Sequence, residues 1–244
     1  KPEGVAEEED RSIALEWMKA TAKERRCAIS GSLAVRLNED GSYRNRHYFV
    51  TSDDVTFYDK HHLFTHGGED ANYVAGRESV ITTWQGVRFL LQTCYDLRFP
   101  VFSRWGRAGE YDAIIYVANW PSSRQLAWDT LIRARAIENQ CYVVAVNRVG
   151  SDPISSYGGG SCLIEPTGKV VDTIDMERVK YIKPMSFYFG AGYTVRSMGG
   201  VTALAGVTFK NIDLQVSYNF GLSASDDVPW YSTDGNDTYL STMN

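Results

Sequence analysis

A thiol near the middle of the chain is the first candidate for chemistry. Cys94 follows the apolar, β-forming run 87–91, at the point where a buried strand would end. Asp96 can cap a turn and Pro100 suits the first position of a helix, which predicts a strand-to-helix elbow that a ligand can reach. A thiol at such an elbow can act as a nucleophile. A single cysteine after an apolar run is more often a small buried hydrophobe, so the pattern alone leaves both interpretations open.

The remaining cysteines and the histidines do not show the spacing of a metal site or of a redox-active pair. The other three cysteines are widely spaced, with no CxxC pair and no histidine at metal-binding spacing. His61, His62 and His66 lie in one loop that offers no further ligands. The sequence therefore predicts no metal and no cofactor, and reduced thiols favour a cytoplasmic protein.

The elements around Cys94 predict a layered α/β body. An amphipathic helix of about fifteen residues is expected over 12–26, with Ile13, Trp17 and Thr21 sharing one face. A second, longer helix is expected over 122–140. The predicted strands span residues 28–35, 43–50, 55–58, 79–84, 87–93, 111–118, 141–147, 161–165 and 169–174. The loop 61–77 is long enough to be functional or disordered.

Composition limits the possible functions. The chain has 244 residues, of which 43% are hydrophobic and 23% are charged, enough for a substantial core and one domain or slightly more. Its net charge of −5, without a basic stripe, argues against nucleic-acid binding. No run reaches the ~18 apolar residues of a membrane helix, and the start does not resemble a signal peptide. Because the sequence opens on Lys1 without Met, we expect a fragment.

Four motifs, in order along the chain, resemble the carbon–nitrogen hydrolase (nitrilase) superfamily. They are Tyr58-Asp59-Lys60-His61-His62-Leu63-Phe64, Cys94-Tyr95-Asp96-Leu97-Arg98-Phe99-Pro100, Ala118-Asn119-Trp120-Pro121 and Arg133-Ala134-Arg135-Ala136-Ile137-Glu138-Asn139-Gln140. The likeness points to the ω-amidase-like branch and covers about residues 4–175. Four motifs in register are a specific signal.

The resemblance implies both a fold and a catalytic set. The fold is a four-layer α-β-β-α sandwich that usually dimerises through its helices, and the set is a Glu-Lys-Cys triad. Cys94 matches the nucleophile, Lys60 the triad lysine, and Glu69 an auxiliary second glutamate. The Lys60 ammonium and the Tyr95 backbone N–H would stabilise the oxyanion that forms when the thiolate attacks an amide carbonyl.

A carboxylate must also carry the proton to the departing ammonia and activate water. In the family this is the first triad glutamate, which follows an initial strand-helix-strand segment ahead of the matched region, and we expect it to be missing here. Glu3, Glu7, Glu8 and Glu9 do not match it by motif, and a solvated helix start explains them better.

The resemblance also suggests residues around the substrate. Arg98 is a candidate for holding a substrate carboxylate, although a structural ion pair is an equally good interpretation. Asn119 and Trp120 are candidates for further substrate contacts. The charged side chains of the fourth motif, Arg133, Arg135 and Glu138, are expected to form ion pairs that hold the long helix near the site.

Residues 185–222 differ in character from the preceding chain. The segment 213–222 alternates polar and apolar residues strictly, and 186–195 and 201–209 are comparably long and rich in Gly and aromatic residues. Such segments resemble strands of outer-membrane β-barrels, but three strands cannot close a barrel. A soluble antiparallel sheet and an unnatural join between genes are the alternatives. We expect a boundary near residue 180, then an antiparallel β hairpin segment (181–244) in a sheet of its own, with a flexible tail from about 226.

Two functions follow. The first is hydrolysis of a small carboxylate-bearing amide through a Cys94 thioester, impaired in this chain because its general base is missing. The second is a non-catalytic nitrilase-like remnant, or a fusion with a β-barrel-derived segment. The expected fold is an α/β nitrilase-like sandwich without its first strands plus a C-terminal antiparallel β segment. The expected partners are an amide substrate and a possible second copy, without nucleic acid or membrane.

Overall fold

The structure, a computed structural model, describes residues 2–174 and the strands at 187–194, 200–209, 212–221, 232–234 and 237–239. The two α-helices are α1 (Ile13–Arg25) and α2 (Gln125–Asn139). The strands are β1 (Glu7–Glu8), β2 (Ala28–Arg36), β3 (Tyr43–Val50), β4 (Val55–Asp59), β5 (Ile81–Trp84), β6 (Val87–Thr93), β7 (Ala113–Ala118), β8 (Tyr142–Asn147), β9 (Val149–Ser151), β10 (Ser156–Gly158), β11 (Ser161–Ile164), β12 (Val170–Ile174), β13 (Phe187–Thr194), β14 (Gly200–Phe209), β15 (Ile212–Gly221), β16 (Ser232–Asp234) and β17 (Asp237–Tyr239). Short 3₁₀ helices lie at Pro2–Gly4, Thr65–Gly67, Cys94–Arg98 and Ser122–Arg124. Within these ranges, neither α-helix is long and apolar enough to cross a membrane.

Two main sheets pack face to face. The first has the order β13-β14-β15-β2-β3-β4, with β1 beside β2, and the second has the order β12-β11-β8-β7-β6-β5. Phe49 of the first sheet stacks on Phe89 of the second, with 5.5 Å between ring centroids. The buried side of α1 packs on the outer face of the first sheet, and that of α2 packs on the outer face of the second. The predicted α-β-β-α sandwich is confirmed.

The central strands explain the continuous apolar runs of the sequence. All six residues of β7 are buried, because β7 pairs in parallel with β6 and β8 and is covered on both faces. Parallel strands end at the same edge of a sheet. The residues that follow β6 and β7, Cys94 and Asn119, are therefore brought together at that edge.

The helix α1 forms as predicted but buries a different face. The Ser12 hydroxyl caps it by accepting a hydrogen bond from the N–H of Leu15 at 3.0 Å. Ile13 and Trp17, predicted with Thr21 to share the apolar face, are 47% and 36% exposed. The buried residues are Leu15, Met18 and Ala22. This second apolar stripe contains a small alanine, which allows the helix a closer approach to the sheet.

The elbow after β6 also differs from the prediction. Cys94 is itself the first residue of a 3₁₀ helix, and no α-helix begins at Pro100. The turn starts early because an oxygen of Asp96 accepts a hydrogen bond from the backbone N–H of Thr93 at 3.0 Å. Cys94 therefore lies within the turn instead of ahead of it.

The C-terminal strands pair as their alternation predicts. β13, β14 and β15 form an antiparallel sheet. β15 also runs parallel to β2, with residues 214–216 beside residues 28–30, so these strands continue the first sheet and the expectation of a sheet of their own is wrong. Within the predicted tail, β16 and β17 form an antiparallel pair, and the rest of that tail lies outside the described residues.

Candidate active site

Cys94 occupies strained backbone at the end of β6. Its φ is +47°, in the left-handed region that residues with a Cβ adopt rarely. The residue is partly exposed, and the backbone N–H of Asn119 acts to lower the pKa of its thiol. The strand-to-turn geometry thus places Cys94 at the edge of the sheet, beside the backbone of Asn119.

Lys60 and Glu69 form a buried ion pair. The Lys60 Nζ donates to the Glu69 Oε2 at 2.6 Å, and the two side chains are 3% and 14% exposed. Glu69 Oε2 also accepts from the backbone N–H of Phe64 at 2.7 Å, and Oε1 accepts from the Asn45 side chain at 2.9 Å. Both carboxylate oxygens are occupied, so Glu69 is arranged to hold Lys60 in place.

The long loop 61–77 returns to the strand that carries Lys60. The carbonyl of Lys60 accepts a hydrogen bond from the N–H of Gly76 at 2.9 Å. A Cβ at position 76 would lie 2.0 Å from the carbonyl oxygen of Asp59, so only glycine permits this approach. The loop is thereby anchored at both ends, which fixes Glu69 relative to Lys60.

Lys60 and Cys94 influence each other's charge. Burial raises the pKa of the Cys94 thiol above its ordinary value, although the Lys60 ammonium and the Asn119 N–H act to lower it. Burial opposes the charge of Lys60, but the negative charges of Cys94 and Glu69 outweigh this and raise the pKa of Lys60. Lys60 therefore remains a cation at neutral pH, whereas Cys94 needs a base to lose its proton.

The predicted oxyanion donor lies next to the thiol. The N–H of Tyr95 is in the first turn of the 3₁₀ helix, where backbone N–H groups have no partner within the helix. The Tyr95 ring packs edge-on against Phe64 and Phe99, with centroids 5.0 and 5.3 Å away. These aromatic contacts hold the first turn of the helix.

The predicted substrate contacts divide into exposed and buried groups. Arg98 is exposed, with its guanidinium 5.0 Å from the centroid of the Trp120 ring. Trp120 is only 3% exposed, and its indole N–H donates to the carbonyl of Arg124 at 2.9 Å. Trp120 is thus a core residue whose ring supports Arg98. The side-chain oxygen of Asn119 accepts a hydrogen bond from Arg148 at 3.3 Å.

Of the ion pairs predicted for the fourth motif, the one between Arg135 and Glu138 is present, whereas Arg133 bonds a backbone carbonyl. Arg135 pairs with Glu138 at 2.9 Å and also donates to the carbonyl of Leu97 at 2.5 Å, which ties α2 to the helix that begins at Cys94. Arg133 donates to the carbonyl of Gly168 at 3.0 Å. These residues hold the fold around the site.

Glutamates near the start of the chain have structural partners. Glu7 accepts a hydrogen bond from the Ser12 hydroxyl at 2.6 Å, and Glu9 pairs with the buried Arg46 at 2.8 Å. Both carboxylates therefore have bonding partners, unlike the solvated helix start that the sequence predicts. Neither is free to serve Cys94 as a base.

Two arginines near the site were not singled out by the sequence. Arg124 lies with its guanidinium 5.0 Å from the centroid of the Phe64 ring. Arg148 is 3% exposed and pairs with Asp152 at 3.0 Å. Arg148 follows β8 directly, so a charged residue after a buried strand was the available signal.

A family model described as carbon-nitrogen hydrolase matches residues 5–180. The chain belongs to the carbon-nitrogen hydrolase family. It is 45% identical over 167 residues to the omega-amidase YafV of Escherichia coli and 38% identical over 170 residues to the 2-oxoglutaramate amidase of Bacillus subtilis. Each match covers 68% of this chain and 64% of the relative, so the chain spans less than two thirds of these relatives' length.

Solved structures of the same family share the fold. A CN-hydrolase superfamily protein from Xanthomonas campestris, with an arsenic adduct in its active site, is 44% identical with a TM-score of 0.64. The match covers 70% of this chain and 66% of that one. Nit3 of Saccharomyces cerevisiae, from branch 10 of the nitrilase superfamily, is 22% identical with a TM-score of 0.62, covering 70% of this chain and 64% of that one.

Accessibility separates Cys94 from the other thiols of this family member. Cys27, Cys141 and Cys162 are buried, and burial raises the pKa of the last two to about 12. We expect limiting iodoacetamide to modify Cys94 first, about tenfold or more ahead of the others, because a partly exposed thiol near an ammonium is the most reactive. Peptide mapping measures this, with the unfolded protein as the control in which all four thiols react alike. Preferential labelling of Cys141 or Cys162 would contradict the assignment of the site.

Proposed function

We propose that this chain is the body of an amide hydrolase that cleaves a small, carboxylate-bearing ω-amide through a thioester on Cys94. The observation that carries the proposal is the placement of Cys94 on strained backbone, where its charge interacts with the Lys60–Glu69 ion pair. The relatives named omega-amidase and 2-oxoglutaramate amidase support the choice of an amide substrate.

The proposed reaction has two stages. The Cys94 thiolate attacks the amide carbonyl, forming a C–S bond, and the developing oxyanion is stabilised by the Lys60 ammonium and the Tyr95 N–H. The C–N bond then breaks, and the nitrogen takes a proton and leaves as ammonia. Water attacks the thioester, the C–S bond breaks, and the carboxylic acid and the thiol are released. One water is consumed for each ammonia.

Both proton-transfer stages need a carboxylate that is free to accept a proton. Among the described residues, the carboxylates that act most on the Cys94 charge are Glu69 and Asp96. Glu69 holds Lys60, and Asp96 accepts four hydrogen bonds. We therefore propose that hydrolysis by residues 1–244 is impaired. The same observation favours the alternative, a nitrilase-like remnant without turnover or a fusion with a β-barrel-derived segment.

The substrate's carboxylate is proposed to bind the exposed Arg98. Arg98 lies on the helix that begins at Cys94 and is supported by the Trp120 ring at 5.0 Å. Arg124 is a second guanidinium in this region, since its carbonyl accepts the indole N–H of Trp120. An exposed arginine on an aromatic ring suits bidentate binding of a carboxylate.

Three further proposals concern the whole protein. In the part of the chain that the structure describes, none of the four cysteines forms a disulfide bond, which fits a reducing compartment such as the cytoplasm. A homodimer through the helices is proposed from the resemblance to the family. The boundary near residue 180 coincides with the end of the matched family region and is also kept as a proposal.

Arg98→Met tests the substrate assignment. In the chain extended before Lys1 by the family's segment with its glutamate, the variant should raise the KM for a glutamine-like ω-amide about tenfold or more, because it removes the ion pair between Arg98 and the substrate's carboxylate. It should leave an amide of equal length without the carboxylate unaffected. Ammonia release measures both, with Cys94→Ala as the blank. Equal effects on the two amides would exclude Arg98 as the carboxylate site, and activity that survives Cys94→Ala would refute the thioester route.

A further inference from the structure

Asp96 is a fully buried carboxylate, with no exposed surface, two residues after Cys94. Its Oδ2 accepts from the Tyr58 hydroxyl at 2.7 Å and the Thr93 N–H at 3.0 Å. Its Oδ1 accepts from the backbone N–H of His62 at 3.0 Å and from the His62 Nδ1 at 2.8 Å. Four donors satisfy both oxygens, as a buried carboxylate requires.

Two of these donor residues, Tyr58 and His62, flank Lys60 on both sides along the chain. Tyr58 lies on β4, two residues before Lys60, and His62 lies two residues after it. The Tyr58 hydroxyl also accepts from the backbone N–H of His61 at 2.9 Å, so both residues that follow Lys60 are tied to Asp96, directly or through Tyr58. The backbone around Lys60 is therefore held in place by Asp96, which lies in the turn that begins at Cys94.

The two ends of this network belong to different sheets. Lys60 follows β4, in the first sheet, and Cys94 follows β6, in the second. Packing between sheets is non-directional, whereas hydrogen bonds have defined lengths and angles. A carboxylate that bonds both segments is suited to set the distance between the ammonium and the sulfur.

We propose that Asp96 is a positioning residue that fixes Lys60 beside Cys94. This inference rests on the proposed function for its importance to hydrolysis, but the arrangement itself also governs the reactivity of the free thiol. Asp96 does not touch the reacting atoms in this proposal. It acts through the backbone of the two turns that carry them.

The negative charge of Asp96 disfavours the thiolate form of Cys94. The direction in which the alkylation rate changes when that charge is removed therefore tests the proposal. The negative charge of Asp96 raises the pKa of Cys94, whereas the ammonium of Lys60 lowers it. If Asp96 acted only through its charge, neutralising it would speed alkylation of Cys94. If Asp96 holds Lys60 in place, the same change should slow alkylation.

Asp96→Asn is the informative substitution. Each oxygen of Asp96 accepts one backbone N–H, from Thr93 or from His62, and an amide has only one oxygen to offer. One backbone N–H would therefore face an NH₂ group, and the two turns would separate. We expect alkylation of Cys94 by iodoacetamide near neutral pH to slow about tenfold, with its pH midpoint moved upward, because an opposite charge near a thiol lowers its pKa by about one unit or more.

Two further variants keep the experiment decisive. Tyr58→Phe preserves the Asp96 charge, removes the hydroxyl that links His61 to Asp96, and should slow alkylation in the same direction by a smaller factor, even where Asp96→Asn does not fold. Asp112→Asn is the matched control. Asp112 accepts three hydrogen bonds from Arg88 at the opposite ends of β6 and β7, and this variant should leave the alkylation profile unchanged.

Faster or unchanged alkylation in a folded Asp96→Asn protein would overturn the proposal. So would an unchanged rate in Tyr58→Phe, or an equal slowing in Asp112→Asn, which would indicate general destabilisation. Thermal unfolding of each variant checks that the measurements refer to folded protein. Because alkylation requires no turnover, the result can be read even if the wild-type chain hydrolyses no amide, so failure of the proposed function and failure of this inference are distinguishable.

Discussion

Residues 1–244 should hydrolyse a glutamine-like ω-amide at least about 10²-fold more slowly than the same chain extended before Lys1 by the family's strand-helix-strand segment with its glutamate. The reason is that, among the described residues, the two carboxylates that act most on the charge of Cys94 already have bonding partners. Glu69 holds Lys60, and Asp96 accepts four hydrogen bonds. Neither has a free oxygen for the thiol proton, and loss of a general base typically costs about 10²–10⁴ in rate.

The controls separate the effect of the general-base glutamate from the effect of adding the rest of the segment. The same extension with its glutamate changed to glutamine should restore packing but not hydrolysis. In residues 1–244, an activated ester should still acylate Cys94 slowly, and intact mass should show one acyl group that persists because water is not activated. Rapid hydrolysis by residues 1–244, abolished by Cys94→Ala, would refute the prediction and would mean that a glutamate such as Glu3 or Glu69 serves as the base.

The sequence was sufficient for the features that depend on local pattern. The apolar runs of β6 and β7 predict buried strands, with Cys94 at the end of the first, whereas the common edge that brings Cys94 near Asn119 is known from the structure. The resemblance to the family then supplies Lys60, in the first motif, and Glu69, in the loop that follows it, and the structure joins the two in one ion pair. Strand periodicity and motif register are both properties of short segments, so features of this kind can be predicted from the sequence.

Features decided by distant contacts could not be predicted in this way. The sequence assigned α1 a face through Ile13 and Trp17, but the helix has two apolar stripes and the sheet beneath selects the other. Asp96 looked like a simple turn cap. Its partners Tyr58 and His62 are 38 and 34 residues away in sequence, on and just after a strand of the other sheet, so the network forms only when both sheets pack.

Lys60→Met should lower kcat/KM of the glutamate-extended protein by about 10²–10³, the usual effect of removing one oxyanion donor. It should also move the pH midpoint of Cys94 alkylation upward, because the Lys60 ammonium lowers the pKa of that thiol. Below that midpoint the variant is the slower protein, and the two rates converge once pH exceeds both pKa values. Rates of ammonia release and of alkylation across a pH series measure the two effects.

Loss of the cation leaves Glu69 buried without its partner, which can cost about 3–5 kcal/mol in the free energy of unfolding. The double variant Lys60→Met/Glu69→Gln removes that unpaired charge, so it should recover stability without recovering hydrolysis or the alkylation midpoint. Lys19→Met is the matched control, because Lys19 pairs with Glu16 at 2.7 Å on the exposed side of α1. This variant should change neither the rate of hydrolysis nor the rate of alkylation. If the double variant regained full hydrolysis, Lys60 would be a structural partner of Glu69 and the oxyanion would depend on backbone N–H groups such as that of Tyr95.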